Sequence, residues 1–183
     1  MRQLKYHENK LLKKVDFFSW KSDNNIREAS IIKRFFLQKR EDYVKYNKIV
    51  GHVTKLVAKL RDMPQDDALR NQMSDQLLQK LYNMGLILNT TNLTSAEKLT
   101  VSAFCKRRLP VVMVRLKMAE TLKEAVTFIE HGHIRVGPTV VSDASFLVTR
   151  TMEDYVTWVD SSKIKRTIMK YNDKLDDFDL LEQ

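Results

Sequence analysis

Scarcity of turn-formers constrains this chain more than any other feature: 183 residues contain only 4 Gly and 3 Pro. Glycine turns the backbone through positive φ without steric cost, and proline stops helices. With so few of either, the chain is predicted to run in long helices with few breaks. Its length suits one domain with a real core, or one domain plus an appended arm. Hydrophobic residues at 43% against 30% charged set aside a disordered chain. No apolar run approaches the roughly 18 to 20 residues that span a bilayer. The opening MRQLKYHENKLLKK has neither the apolar stretch nor the cleavage site of a secretory signal. Cys105 stands alone, which excludes an internal disulfide and a multi-cysteine zinc site and fits a reducing compartment.

The formal net charge is +9, and it is unevenly spread. Residues 1–60 hold 15 Lys/Arg against 6 Asp/Glu, residues 101–135 hold 7 against 3, and residues 173–183 hold 1 against 5. A basic arm, a second basic segment and an acidic tail are therefore expected. Clustered positive charge is what a polyanion binder needs, because each neutralised phosphate releases counterion.

Helical spacing of Ile49, Val53, Leu56, Val57 and Leu60 predicts a long helix that Pro64 ends. Lys45, Lys48, Lys55, Lys59 and Arg61 fall between the apolar positions and face solvent or RNA. Asp66 or Asp67 is placed to cap the next helix, and Gly85 to close it. Thr94 to Glu97 and Thr121 to Glu124 both have the Thr-x-x-Glu spacing of a capping box. After Thr121, apolar Leu122, Ala125, Val126 and Ile129 predict a helix ending near Gly132. Residues 109–118 fit a strand by their valines, or a helix by the spacing of Leu109, Val112, Met113 and Leu116. Strands are expected at His133–Val136, Thr139–Val141, Phe146–Val148 and Tyr155–Val159, with a last basic helix in SSKIKRTIMKY.

His131 and His133 flank Gly132, with Arg135 following. Zinc needs three or four ligands, and only Glu130, Asp143 and distant Cys105 are on offer. Catalysis by a histidine needs an activated nucleophile, and no nucleophile elbow, phosphate-cradling glycine loop or His-Glu-x-x-His pattern occurs. Phosphate and sugar contact remains: Arg135 can grip phosphate with two hydrogen bonds, and the histidines can donate to RNA or stack on an unpaired base. The competing structural role is that a histidine caps the helix C-terminus.

Residues 107–148, RRLPVVMVRLKMAETLKEAVTFIEHGHIRVGPTVVSDASFLV, resemble the S4 RNA-binding domain, and the likeness extends over roughly Ala103–Val159. The resemblance implies that Arg107–Met118 is helical. It also implies an RNA surface of Arg107, Arg108, Arg115 and Lys117 on the first helix, Lys123 on the second, and His131, Gly132, His133 and Arg135 at the turn. The chain departs from the family at Leu122, where many members have arginine, and at Val136-Gly137-Pro138, where many have Val-Asn-Gly. Residues 45–84 ahead of it resemble small-subunit ribosomal protein S4. The opening LKYHENKLLKKVDFFSWK is more similar to the S4-domain protein of the nucleolar U3 small nucleolar ribonucleoprotein.

The expected fold is α+β: a basic N-terminal arm (1–30), a helical region (31–102), an S4 domain (103–160), and a basic helix with an acidic tail (161–183). The resemblance implies a non-catalytic RNA-binding component of the nucleolar small-subunit processome. It would bind U3 RNA and pre-ribosomal RNA beside an M-phase phosphoprotein scaffold, with no cofactor, metal, membrane or small-molecule substrate. The alternatives are a structural protein of the mature small subunit, or a protein-scaffold adaptor docking through Phe35 or Phe36.

Overall fold

The computed structural model describes residues 2–14, 26–64 and 66–173. The acidic tail expected over 173–183 lies outside them except for Asp173, as does the whole DFFSWK stretch that carried part of the resemblance. The fold is α+β, with helices α1 (Tyr6–Lys14), α2 (Ile26–Phe35), α3 (Arg40–Asp62) and α4 (Ala68–Asn83) first. Short helices α5 (Leu93–Glu97), α6 (Val101–Lys106) and α7 (Leu109–Arg115) follow, then α8 (Leu122–Glu130). Strands β1 (Ile134–Val136), β2 (Thr139–Val140) and β3 (Val156–Trp158) precede the last helix, α9 (Lys163–Tyr171). The sheet is antiparallel in the order β2-β1-β3, with Arg135 opposite Val140 on one side and Thr157 on the other.

Local chemistry explains most of the helix ends. Asp67 caps α4 by accepting from the Leu69 N–H at 3.0 Å. Gly85 closes α4 at φ 72°, with the Leu86 N–H donating back to the Leu81 carbonyl. Phe36 performs the same closure for α2 at φ 49°, with the Leu37 N–H donating to the Ile32 carbonyl at 3.1 Å, so α2 and α3 are separate helices. Phe35 is buried by that turn while Phe36 is left 41% exposed. The Thr94 expectation is corrected: Asn92 stands at the N-cap of α5, and Glu97 ends the helix and faces Arg61 at 3.4 Å. The strand expected at Phe146–Val148 is also corrected. It is a single bridge from Leu147 to Arg108, because the partner segment is extended for only one residue between two helices. Helix α1 buries nothing.

Two apolar clusters form the interior. The first joins Tyr43, Tyr46, Val53 and Val57 of α3 to Leu78 and Leu81 of α4 and Phe104 of α6, with the Tyr46 and Phe104 rings stacked at 5.5 Å. Cys105 is fully buried there, and burial pushes its thiol up to about 11, so it is packed as a small hydrophobe. The second joins Leu109, Val112 and Met113 of α7 to Ile129 of α8 and to the sheet. Residues 109–115 are thus helix rather than strand, a shorter helix than the Arg107–Met118 the resemblance implied: Arg107 and Arg108 stand at helix caps, and Lys117 at φ 59° belongs to the closing turn.

The clusters meet at Arg107 and Arg108, the C-cap of α6 and the N-cap of α7. Arg108 is 2% exposed, donating to Asp42 Oδ2 at 3.2 Å and to the Ala144 carbonyl at 3.2 Å. Arg107 is buried, donating to the Val148 carbonyl and to Glu153, both at 2.9 Å. Gly85 makes room for it: a Cβ there would lie 2.9 Å from the guanidinium carbon. A second clasp stacks Arg150 on the Tyr82 ring at 4.0 Å and ties it to the Ile87 carbonyl at 3.0 Å. Removing one member of a buried ion pair strands the other charge. Asp42→Ala should therefore cost about 3–5 kcal/mol in denaturant unfolding, while Arg108→Met with Asp42→Leu should cost clearly less.

Candidate nucleic-acid interface

The exposed basic residues of the second half are placed by how α7 and α8 begin and end. Thr121 and Glu124 form the full capping box, each bond 3.3 Å, which fixes the start of α8. Lys123 sits exposed in that first turn. Helix α7 closes through Lys117 at φ 59°, with the Met118 N–H donating to the Met113 carbonyl at 3.0 Å. Lys117 thus carries an exposed ammonium on the turn that ends the helix.

Helix α8 ends in the same way, but with glycine. Gly132 takes φ 71°, and the His133 N–H donates to the Phe128 carbonyl at 3.0 Å. His131 is the C-cap residue through its backbone, and its exposed ring stands edge-on to His133 at 6.1 Å. The His133 Nδ1 shares a 3.0 Å hydrogen bond with the buried Ser162 hydroxyl, so this ring is held while His131 is free to meet a ligand.

Arg135 lies on the central strand, half-buried. Its Nε donates to Thr157 Oγ1 at 3.1 Å and its Nη1 to Asp160 Oδ2 at 2.7 Å. The other Asp160 oxygen accepts from Lys165 of α9 at 2.5 Å. That lysine, with Arg135 beside it, holds the Asp160 carboxyl below its ordinary range. Asp160 is thus a carboxylate clamped between an arginine and a lysine. Asp160 is 63% exposed, so little opposes its displacement. Lys165, placed by a helix whose partners only the fold reveals, was not singled out from sequence; its Lys-x-Lys-Arg setting was the one available signal.

Arg107 and Arg108, expected on the RNA face, turn inward instead. Their guanidiniums are taken up by Glu153, Asp42 and backbone carbonyls, because the α6–α7 junction is the seam between two apolar clusters. Arg115 is exposed and shares Glu153 with Arg107. The structure therefore gathers His131, Gly132, His133, Arg135 and Lys165 at one turn. It sets Arg115, Lys117 and Lys123 as exposed cations at the ends of the neighbouring helices. Among the described residues, no group of three or more His, Cys, Asp or Glu is placed to hold a metal ion.

Comparison with known proteins agrees with this division of the chain. Residues 3–106 match the family model described as Ribosomal protein S4/S9 N-terminal domain, and residues 107–154 match the S4 domain. The two matches meet at Arg107, the seam itself. The chain is 53% identical to the "U3 small nucleolar ribonucleoprotein protein IMP3" of Saccharomyces cerevisiae, and 52% identical to that of Homo sapiens. Both alignments cover 98% of this chain and 98% of the relative. More distant is the "Small ribosomal subunit protein uS4" of Picrophilus torridus, 29% identical over 78% of this chain and 79% of that protein.

Burial works to raise the Glu153 pKa, but its hydrogen bond from Arg107 and the charges of Arg115 and Arg107 outweigh burial and lower it. A lowered folded-state pKa contributes stability that is complete above the ordinary glutamate value of 4.5 and is lost as the pH falls through the folded value. The melting temperature should therefore drop below that pH, and Glu153→Gln should flatten the part of the drop that this residue contributes. Equal slopes for parent and variant in a melting series from neutral pH to about pH 3 would assign the acid sensitivity elsewhere.

Proposed function

The chain belongs to the family of the U3 small nucleolar ribonucleoprotein protein IMP3, within the wider set of S4-domain proteins, and on that footing we propose that it is a non-catalytic RNA-binding component of the U3 ribonucleoprotein in early small-subunit rRNA processing. In this reading it binds U3 RNA and pre-ribosomal RNA in the nucleolus, beside a phosphoprotein scaffold, and favours pairing between the two RNAs. The carrying observation is the turn after α8. Arg135 is pre-oriented by Thr157 and faces a carboxylate that an incoming phosphate can replace, with His131 exposed beside it.

Arg135 and Lys165 supply the phosphate grip, Arg135 with its planar fork. Lys117, Lys123 and Arg115 add backbone contacts along the helix ends. His131 offers a ring to a ribose hydroxyl or an unstacked base. Arg107 and Arg108 act as positioning residues, fixing α7 against the N-terminal helices. A cationic surface that holds one strand lowers its repulsion for a second, which is the physical basis for promoting RNA–RNA pairing. The mature-subunit reading has less behind it, since the uS4 likeness is 29% against 53% and reaches only part of the chain.

The function is tested by crosslinking the protein to RNA in cells and sequencing what is attached; reads confined to mature small-subunit RNA would replace it with a ribosomal role. In vitro, Arg135→Ala and Lys123→Ala should each lower the slope of log affinity against log salt by about 0.7 on single-stranded RNA. Asp160→Asn, which removes the competing carboxylate, should tighten binding; weaker binding by that variant would show that Asp160 positions Arg135 rather than blocking it.

A further inference from the structure

Helix α3 carries a second array of positive charge, far from the turn in sequence. Lys45, Lys48, His52, Lys55 and Lys59 recur at intervals of three and four, so they lie along one face of a single 23-residue helix. At about 1.5 Å per residue the array is about 21 Å long, with a basic group roughly every 5 Å. All five residues are exposed. The buried residues Tyr43, Tyr46, Val53, Val57 and Leu60 lie on the other side, roughly 150° around the helix at 100° per residue.

What sets this face apart is the lack of neutralisation. Among the described residues, none of the five forms an ion pair or a side-chain hydrogen bond. A lysine face that serves only solubility is ordinarily laced with glutamates three or four residues away. Here the acids on that face stand only at its two ends, Glu41 in the first turn and Asp62 in the last, so Lys48, His52 and Lys55 have no acid within four residues on the helix. Asp42 is turned inward to Arg108. Like charges one turn apart oppose the helix. The helix holds them because its opposite face is anchored in the first apolar cluster.

We propose that this face of α3 is a second RNA-binding surface, which grips the phosphodiester backbone of a strand without reading its sequence. The proposal rests on the RNA-binding reading given above and assigns it a surface of its own. The array has four lysines and one histidine, without arginine, phenylalanine, tyrosine or tryptophan, which suits a sequence-independent backbone contact more than base recognition. Its position favours RNA over an acidic protein. Gln38, just before α3, donates to Glu130 at 2.5 Å, and Glu130 adjoins His131. The N-terminal end of α3 is thereby tied to the end of α8, so a strand leaving the turn reaches the start of the array. Two surfaces so joined can hold two strands, or two parts of one.

The test uses the full chain and a short single-stranded RNA of mixed sequence, with affinity measured across a salt series. One variant replaces Lys45, Lys48, Lys55 and Lys59 by Gln; a second replaces Lys123 and Arg135 by Gln. The first should lower the salt slope by about 0.7 per lysine, close to three in all, and the second by its own smaller amount. The combined variant should lose the sum, as distant sites do. Lysine-to-arginine replacement at the same four positions should restore the parent slope, and Lys55→Glu alone reads the same effect if the fourfold variant unfolds. A fourfold variant that folds and keeps the parent slope, while the turn variant loses part of it, overturns the α3 surface alone. Parent slopes in both variants overturn the RNA-binding reading itself. Loss of polyglutamate binding with an unchanged RNA slope assigns the face to an acidic protein and overturns the proposal.

Discussion

Two consecutive arginines at the seam between two apolar clusters hold this structure together, and most of its surface follows from where they point. Arg108 carries its charge to Asp42, 66 residues earlier in the chain, and Arg107 carries its own to Glu153, 46 residues later. Taking a charge into a protein interior costs several kcal/mol even after relaxation. Only a partner carboxylate and backbone carbonyls can offset it, and the structure supplies both kinds to each arginine. The arrangement fixes direction as well as position. Each guanidinium has one acceptable orientation, so α6 and α7 meet at one angle and the sheet settles against one side of them. Apolar contact alone specifies orientation less sharply, because it has no direction.

The seam then governs how α8 and its turn are presented. Helix α7 packs on α8 through Val112, Met113 and Ile129, all fully buried. The C-terminal end of α8 delivers Gly132 to the first residue of the sheet. A glycine in the left-handed region lets the chain reverse within two residues, and the Val140 side chain lies 3.8 Å from where a Cβ would be. From there strand alternation decides the rest. Ile134 and Val136 enter the core while Arg135 between them faces outward, where Thr157 and Asp160 receive it. The position of Arg135 is thus traceable through a strand register and a helix end to a pair of charges in the interior.

Much of this was legible from residue order. The box at Thr121, the stop at Gly132, the cap at Asp67 and the close at Gly85 are local chemistry, and local chemistry is written in neighbouring residues. The failures share one cause. Arg107 and Arg108 look like surface charge because nothing adjacent shows that Asp42 and Glu153 will come to meet them. Thr94 has the spacing of a cap, but the helix starts at Leu93 and the residue falls inside it. Phe36 and Lys117 end helices in a conformation that residue type argues against, and only the surrounding packing enforces it. Lys165 gained its place from a contact with Asp160, which sequence spacing alone does not single out.

The division of positive charge gives the fold its functional logic. Arginines that are buried serve architecture, where a fixed fork and permanent charge suit directional bonds to carboxylate and carbonyl. Along α3, by contrast, lysines take the exposed positions, as flexible point charges that suit a backbone of variable geometry. Arg135 stands between these cases, half-buried and held by Thr157, yet paired to a carboxylate that solvent reaches. Under the proposed function, holding an RNA strand while still permitting it to pair calls for contacts of graded strength. The strongest should be few and oriented, and the rest numerous and replaceable, because a strand bound tightly along its whole length cannot rearrange. One oriented arginine after α8 and a row of lysines without ion pairs on the solvent face of α3 fit that requirement, with side chains whose roles are set by burial.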